Sequence, residues 1–229
     1  MRGISFALIT LFSPPVFSQE VPTTPPPPPS EPTVGSMELN TRPAKLEASD
    51  LKEFDGLAEP RRKMIEAALT VLRDSPWLPY TAAGAEPDSG GFDCSGAIHF
   101  ILSKVGLEPP RSSAAQYEWL KTNNRLNVIA PAAVDTTDPS LAKLRPGDLV
   151  FWSAAAATEE APDAVRIHHV AMYLGTEKKD GRAVMINATD GRTYRGQKGN
   201  GFGIYDFVIP KAGSRSKMAG YGTPPGLAE

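Results

Sequence analysis

The sequence predicts an α+β domain in which N-terminal helices pack on a central antiparallel β-sheet. Three observations predict it. Apolar residues recur at helical spacing up to about residue 121. From about residue 148 the apolar runs become short, β-rich and punctuated by glycine or proline. Helices first and strands later, in a segment of single-domain length, is the α+β pattern rather than the alternating pattern of a parallel sheet.

The elements follow in order. Ile65, Leu69 and Leu72 place a helix over 60–73. Ala97, Ile98, Ile101, Leu102 and Val105 place a second over 92–105. Ser113 followed by Gln116 fits a capping box that opens a short helix through Lys121. Strands are expected at Asp148–Trp152, Val170–Leu174, Val184–Ala188 and Ile204–Ile209. The folded domain is thus expected over 58–213, with 214–229 a flexible tail whose three bases from Lys211 to Lys217 are solvated.

The front of the chain reads differently. Arg2, a short apolar stretch from Ile4 to Phe12, and small residues Val16 and Ser18 before Gln19 read as a signal peptide over 1–18. Residues 21–35 hold seven prolines, which favours an extended polyproline II spacer. With the polar residues up to 57 it forms a linker, 19–57, too short for a core of its own. The reading is therefore an exported protein, periplasmic or extracellular, with no integral membrane segment after signal removal. No apolar run reaches the roughly 18 residues of a transmembrane helix. A formal charge of −2 argues against a nucleic-acid binder. A single cysteine excludes an intramolecular disulfide framework and a cysteine-rich zinc site.

That cysteine carries the chemistry. Cys94 lies in Ser89-Gly90-Gly91-Phe92-Asp93-Cys94-Ser95-Gly96. Asp93 fits the N-cap, which puts Cys94 in the first helical turn, where the helix dipole and free N–H groups favour a thiolate and can hold an oxyanion. The alternative is a buried apolar filler, which would sit mid-helix among leucines. A nucleophilic thiol needs a base. His99 is on the cysteine's own helix, on an offset face, and is a poor partner. His168 and His169 open a strand, and successive strand residues face opposite ways, so one of the pair can face Cys94. Asn187, in the neighbouring strand, is placed to orient the imidazole.

With these residues in hand, the chain resembles the NlpC-type cell-wall peptidases of the papain-like cysteine peptidase superfamily, over about Tyr80 to Asp206. The resemblance rests on ordered blocks: Pro79-Tyr80, Phe92 to Gly96, Pro110-Arg111 with Gln116 soon after, Leu144 to Phe151, His169 to Gly175, and Met185 to Ala188. It implies a papain-like fold, Cys94 as nucleophile, His169 rather than His168 as general base, and Asn187 in the orienting role. It implies that Tyr80 lies near the cysteine and helps bind substrate or oxyanion. Asp93 and Ser95 match positions contacting a substrate amine, and Arg111 and Gln116 match positions bordering the cleft. The implied substrate is the murein stem peptide, most often at the bond from D-γ-glutamyl to the diamino acid. No metal or organic cofactor is needed, and a monomer is expected. Ala83-Gly84 replaces the usual double glycine.

The same residues admit other readings. An N-acetylmuramoyl-L-alanine amidase or an acyl transferase would keep the fold and change the bond. An inactive wall-binding module is opposed by the intact Cys94, His169 and Asn187. One strand gives His168-His169 a single inward ligand, so no metal site is expected. The sequon at Asn187-Ala188-Thr189 is read as chance, and the acids Glu159, Glu160 and Asp163 as part of a solvated surface loop.

Overall fold

The structure is a computed structural model and describes residues 42–129, 137–154, 165–211 and 213–227. The expected signal peptide, the proline tract and the acidic loop around Glu159 lie outside the described residues. Helix α1 is Glu59–Asp74. Its start carries Pro60, whose missing N–H has no helical partner to lose there. Its end falls at Ser75, directly before Pro76, where helical backbone is sterically disfavoured. Strands β1 (Ala85–Glu86) and β2 (Gly91–Phe92) form a small antiparallel ladder that leads into α2, Cys94–Lys104. Helix α3 is Ser113–Thr122.

The strands that follow are β3 (Leu126–Val128), β4 (Leu149–Ala154), β5 (Arg166–Thr176), β6 (Ala183–Thr189), β7 (Thr193–Tyr194), β8 (Gln197–Lys198), β9 (Gly201–Asp206) and β10 (Ser216–Gly222). Six of them make one sheet in the order β3-β10-β4-β5-β6-β9, every neighbouring pair antiparallel. The expected α+β arrangement of helices on an antiparallel sheet is therefore present. Alternate residues feed two apolar layers. Phe151, Val170, Met172 and Ile186 pack with α1 and α2, while Val150, Trp152, Ala171 and Met185 fill the opposite face.

Three expectations are corrected. The segment after 213 is not a tail: Ser216–Gly222 is an interior strand between β3 and β4, with Met218, Ala219 and Tyr221 buried. Nor does folded structure begin at 58. Leu51 is fully buried, Phe54 nearly so, and the Glu53 carboxylate accepts from Thr176 N–H at 2.9 Å and from its hydroxyl at 2.6 Å. Two apolar anchors among polar residues are enough to dock the segment on the sheet, and the described residues fall in one compact unit. Finally, α3 is capped by Ser112, whose hydroxyl accepts from Ala115 N–H at 3.2 Å, not by a Ser113–Gln116 box.

Candidate functional site

The start of α2 is built by a clamp. Asp93 is the N-cap, and its Oδ1 accepts from Gly96 N–H at 2.6 Å. Arg111 holds both carboxylate oxygens, at 3.0 and 2.8 Å, and also donates to Ser95 Oγ and to Gly84 O. Burial pushes the Asp93 carboxyl up, but Arg111 and the Gly96 N–H outweigh it, and the group ends below its ordinary range. Gly96 is required here, because a Cβ would lie 2.0 Å from Gly84 O. Gln116 is fully buried and donates to Ser95 O at 3.0 Å and Pro110 O at 2.9 Å. It supports the helix start from behind and does not line the cleft. Only a side chain with two amide N–H groups can serve both carbonyls at once.

Cys94 thus begins α2, where the backbone N–H groups of Val170, Ser95 and Cys94 itself favour the thiolate. A gap in the sheet makes this possible. The β5–β6 ladder ends at Met172 and Ile186, although β6 continues to Thr189 against β9. Where β5 and β6 part, the helix start enters. Burial, first of all, pushes the Cys94 thiol up, and the Asp93 charge adds to it against the N–H groups. The helix dipole alone predicts a thiolate; in this setting desolvation prevails.

His169 is buried and lies one residue before Val170. Its Nε2 is 2.6 Å from the Asn187 side-chain nitrogen, and Asn187 is fully buried. The sheet gives the reason: β5 and β6 side chains meet diagonally across the mouth of the gap. His168 is exposed and bonds Ser216 Oγ at 3.1 Å. The β4–β5 register shifts between Trp152 and Ser153, so His168 falls in a bulge while His169 pairs with Trp152. Of the two histidines, only His169 joins Asn187. His99 bonds Pro109 O at 2.8 Å, away from the thiol.

One side chain of the site escaped the sequence reading. Arg192 stacks over Trp152, 4.0 Å from the ring centroid, and its Nε–H donates to His169 Nε2 at 3.3 Å. Burial, then the Arg192 charge and His168, hold the His169 imidazole well below its ordinary range. Burial also brings the Arg192 guanidinium down to about 10, against the pull of Cys94. The available signal was the Asp190-Gly191 turn directly after the strand that carries Asn187, which returns the next residue over the site.

These residues open onto a cavity of about 410 Å³ lined by Tyr80, His168, His169, Thr189, Asp190 and Arg192, among others. Tyr80 forms one wall. Its phenol is pushed up by burial and then by the nearby Cys94, Asp93 and Asp190. Of the expected residues, His169 and Tyr80 line this cleft, the buried Asn187 bonds His169, and Cys94 lies close enough to Tyr80 and Arg192 to bear on their charge. The structure places Asp93, Ser95 and Arg111 in the clamp beneath Cys94. Among the described residues no group of three or more His, Cys, Asp or Glu could hold a metal, and no helix is long and apolar enough to cross a membrane.

A buried thiol at a helix start, with a buried imidazole bonded to an amide on the antiparallel sheet, is the set of groups a thiol hydrolase requires. Comparison with known proteins gives the family. The NlpC/P60 family matches residues 78–204, and the chain belongs to that family. The probable endopeptidase p60 of Listeria monocytogenes is 32% identical over 127 residues, 55% of this chain and 19% of the relative. A probable endopeptidase of Mycobacterium tuberculosis is 30% identical over 122 residues, 53% of this chain and 23% of the relative. The chain thus spans about a fifth of the length of these relatives. A Staphylococcus aureus protein described as similar to lipoprotein, of the NLP/P60 family and known from a crystal structure, aligns over 80% of this chain and 43% of its own, at 20% identity and a TM-score of 0.40.

Proposed function

We propose that this protein is an exported peptidoglycan hydrolase, a cysteine endopeptidase that cuts murein stem peptides at the D-γ-glutamyl to diamino-acid bond. The observation that carries the reading is the 2.6 Å contact between Asn187 and His169 Nε2, beside a thiol held at a helix start. Membership of the NlpC/P60 family and the names of the relatives support the substrate class.

The resting pair is a neutral thiol and a neutral imidazole. Nε2 faces Asn187 and Arg192, which leaves Nδ1 as the nitrogen for the thiol. As sulfur attacks the scissile carbonyl carbon, its proton passes to His169 Nδ1. The S–C bond forms and the carbonyl oxygen becomes an oxyanion, met by backbone N–H groups at the start of α2 with help from the Tyr80 hydroxyl. One such donor contributes about 3 kcal/mol to the barrier in comparable sites. The imidazolium is steadied by Asn187 once its amide rotates to bring the oxygen to Nε2–H. The imidazolium then protonates the leaving amine, the C–N bond breaks, and water hydrolyses the thioester. The Asp93–Ser95–Arg111 clamp fixes where the sulfur sits, and substrate-amine contact falls to the exposed edge of the same clamp.

The test is digestion of purified murein and defined muropeptides by wild type and Cys94→Ala, with products read by mass spectrometry. Cleavage at the γ-glutamyl bond that vanishes in the variant is the expected result. Cys94-dependent cleavage at another bond moves the substrate to the amidase reading. No Cys94-dependent product from any muropeptide sinks the hydrolase.

A further inference from the structure

A guanidinium beside a catalytic imidazole is chemically awkward, and its geometry has a consequence for the proton. Arg192 Nε carries a hydrogen and has no lone pair to offer. Its bond to His169 Nε2 therefore requires that nitrogen to accept. In a neutral ring the single hydrogen then sits on Nδ1, the nitrogen that the functional reading above assigns to the thiol. A ring protonated on Nδ1 cannot take the thiol proton. The buried amide of Asn187 makes the same point, since its side-chain nitrogen also faces Nε2 while its Oδ1 lacks a partner.

Arg192 is also poised for something else. Its charge forms no ion pair among the described residues, and its recorded contacts are His169 and the Trp152 ring. It lines the cleft, where a bound substrate would lie. The other charged or titratable groups around the imidazole are Cys94 on α2, His168 on β5, and Tyr80 and Asp190 on the cleft wall. None of them neutralises the guanidinium with a recorded bond.

We propose that Arg192 is a substrate-operated latch: in the free protein it holds His169 in the unproductive Nδ1–H tautomer, and a carboxylate on the substrate draws it away and frees Nε2 to carry the proton. This rests on the functional reading above and names what the cleft selects. A γ-linked glutamyl residue keeps a free α-carboxylate near the scissile carbonyl, and a guanidinium reads such a group by charge-assisted bonds. The amidated form of the same residue offers no charge. Once Arg192 turns, Nε2 takes a proton from water in the open cleft and Nδ1 releases its own to water; the Asn187 amide rotates, its oxygen accepts from Nε2–H, and Nδ1 presents its lone pair to Cys94. Arg192 is therefore both a positioning residue for the base and a specificity-determining residue for the substrate.

The test uses the whole chain and Arg192→Met, which keeps an apolar stem over Trp152. Imidazole 15N shifts read the tautomer of His169, with the amide spectrum as a check of folding. Wild type is expected to carry the proton on Nδ1 and the variant on Nε2. A wild-type ring already protonated on Nε2, or no change in the variant, overturns the latch. Alkylation of Cys94 reads the anion preference. The rate ratio of iodoacetate to iodoacetamide at one pH is expected to fall roughly tenfold in the variant, the scale of one charged hydrogen bond; an unchanged ratio overturns it. On γ-glutamyl peptides with a free or amidated α-carboxylate, wild type is expected to prefer the free form by roughly ten- to a hundredfold in kcat/KM, and the variant to treat both alike. Equal preference in both proteins overturns the proposal. If wild type cuts neither peptide, the endopeptidase reading fails, while the tautomer and the alkylation ratio still decide the latch.

Discussion

Replacing Arg111 by Met tests whether the clamp under Cys94 is structural. The change removes four donated bonds, two of them to the Asp93 carboxylate. Hydrogen bonds to charged groups contribute about 1.5–3 kcal/mol each way of counting, and breaking a fully buried pair costs about 3–5 kcal/mol. This pair is only partly buried, with 37% of the Arg111 side chain and 15% of Asp93 exposed. Asp93 also keeps its bonds from Gly96 N–H and Ser95 Oγ. The expected loss is therefore near the lower figure, about 2 kcal/mol, or a Tm lower by about 4–8 °C for a domain of this size. The pH response gives a second readout. With its folded pKa depressed, Asp93 contributes stability above the ordinary carboxylate range and loses it as pH falls through the folded value. Without Arg111, burial is less opposed and the acid limb moves to higher pH. The assay is thermal melting of both proteins from pH 3 to pH 7. A variant within about 0.5 kcal/mol of wild type, with an unmoved acid limb, refutes the reasoning and makes Arg111 a substrate contact alone.

Three further outcomes are expected. Alkylation of Cys94 by a neutral reagent rises through alkaline pH, because burial lifts the thiol above its ordinary value; a plateau reached below pH 7 contradicts this. Arg61→Met takes the 2.9 Å guanidinium partner from the buried Asp148, which keeps the Thr223 hydroxyl and the Arg145 N–H, so chemical denaturation should show a loss of about 3 kcal/mol, the low end for a broken buried pair, largely recovered when Asp148→Leu is added. Ala83 has a φ of +61°, where glycine carries no steric cost, so Ala83→Gly should raise stability by up to about 1 kcal/mol in the same assay.

The helices were legible because each sets a stripe of large apolar residues against the sheet. Ile65, Leu69 and Leu72 reach the core as their spacing requires. The strands through Phe151, Val170 and Ile186 were legible for the same reason. β10 was not, because its sequence, Ser216-Lys217-Met218-Ala219-Gly220-Tyr221-Gly222, lacks β-branched residues. Its glycines are there for close approach: a Cβ at Gly222 would lie 1.9 Å from Arg125 O. Small residues chosen by a neighbouring backbone look like a loop in isolation. At the site, Cys94, His169 and Asn187 could be found from local context, since each sits at a helix start or a strand position. Arg192 had only the weak signal of Asp190-Gly191 before it, because its partner, the Trp152 ring, lies forty residues earlier. The loss of a capping role for Gln116 follows the same logic, as its partners Ser95 O and Pro110 O come from outside its helix.

The interior position of β10 bears on how the chain behaves before it is fully folded. Until Ser216–Gly222 docks, β4 presents a bare row of N–H and C=O groups, and it belongs to a strand whose residues Leu149 to Trp152 are all buried in the finished sheet. An unpaired edge of that kind is a template for another chain. Truncation before residue 216 would therefore do more than shorten the protein. It would split β3 from the sheet, expose an apolar edge, and favour strand exchange between copies over a soluble fragment.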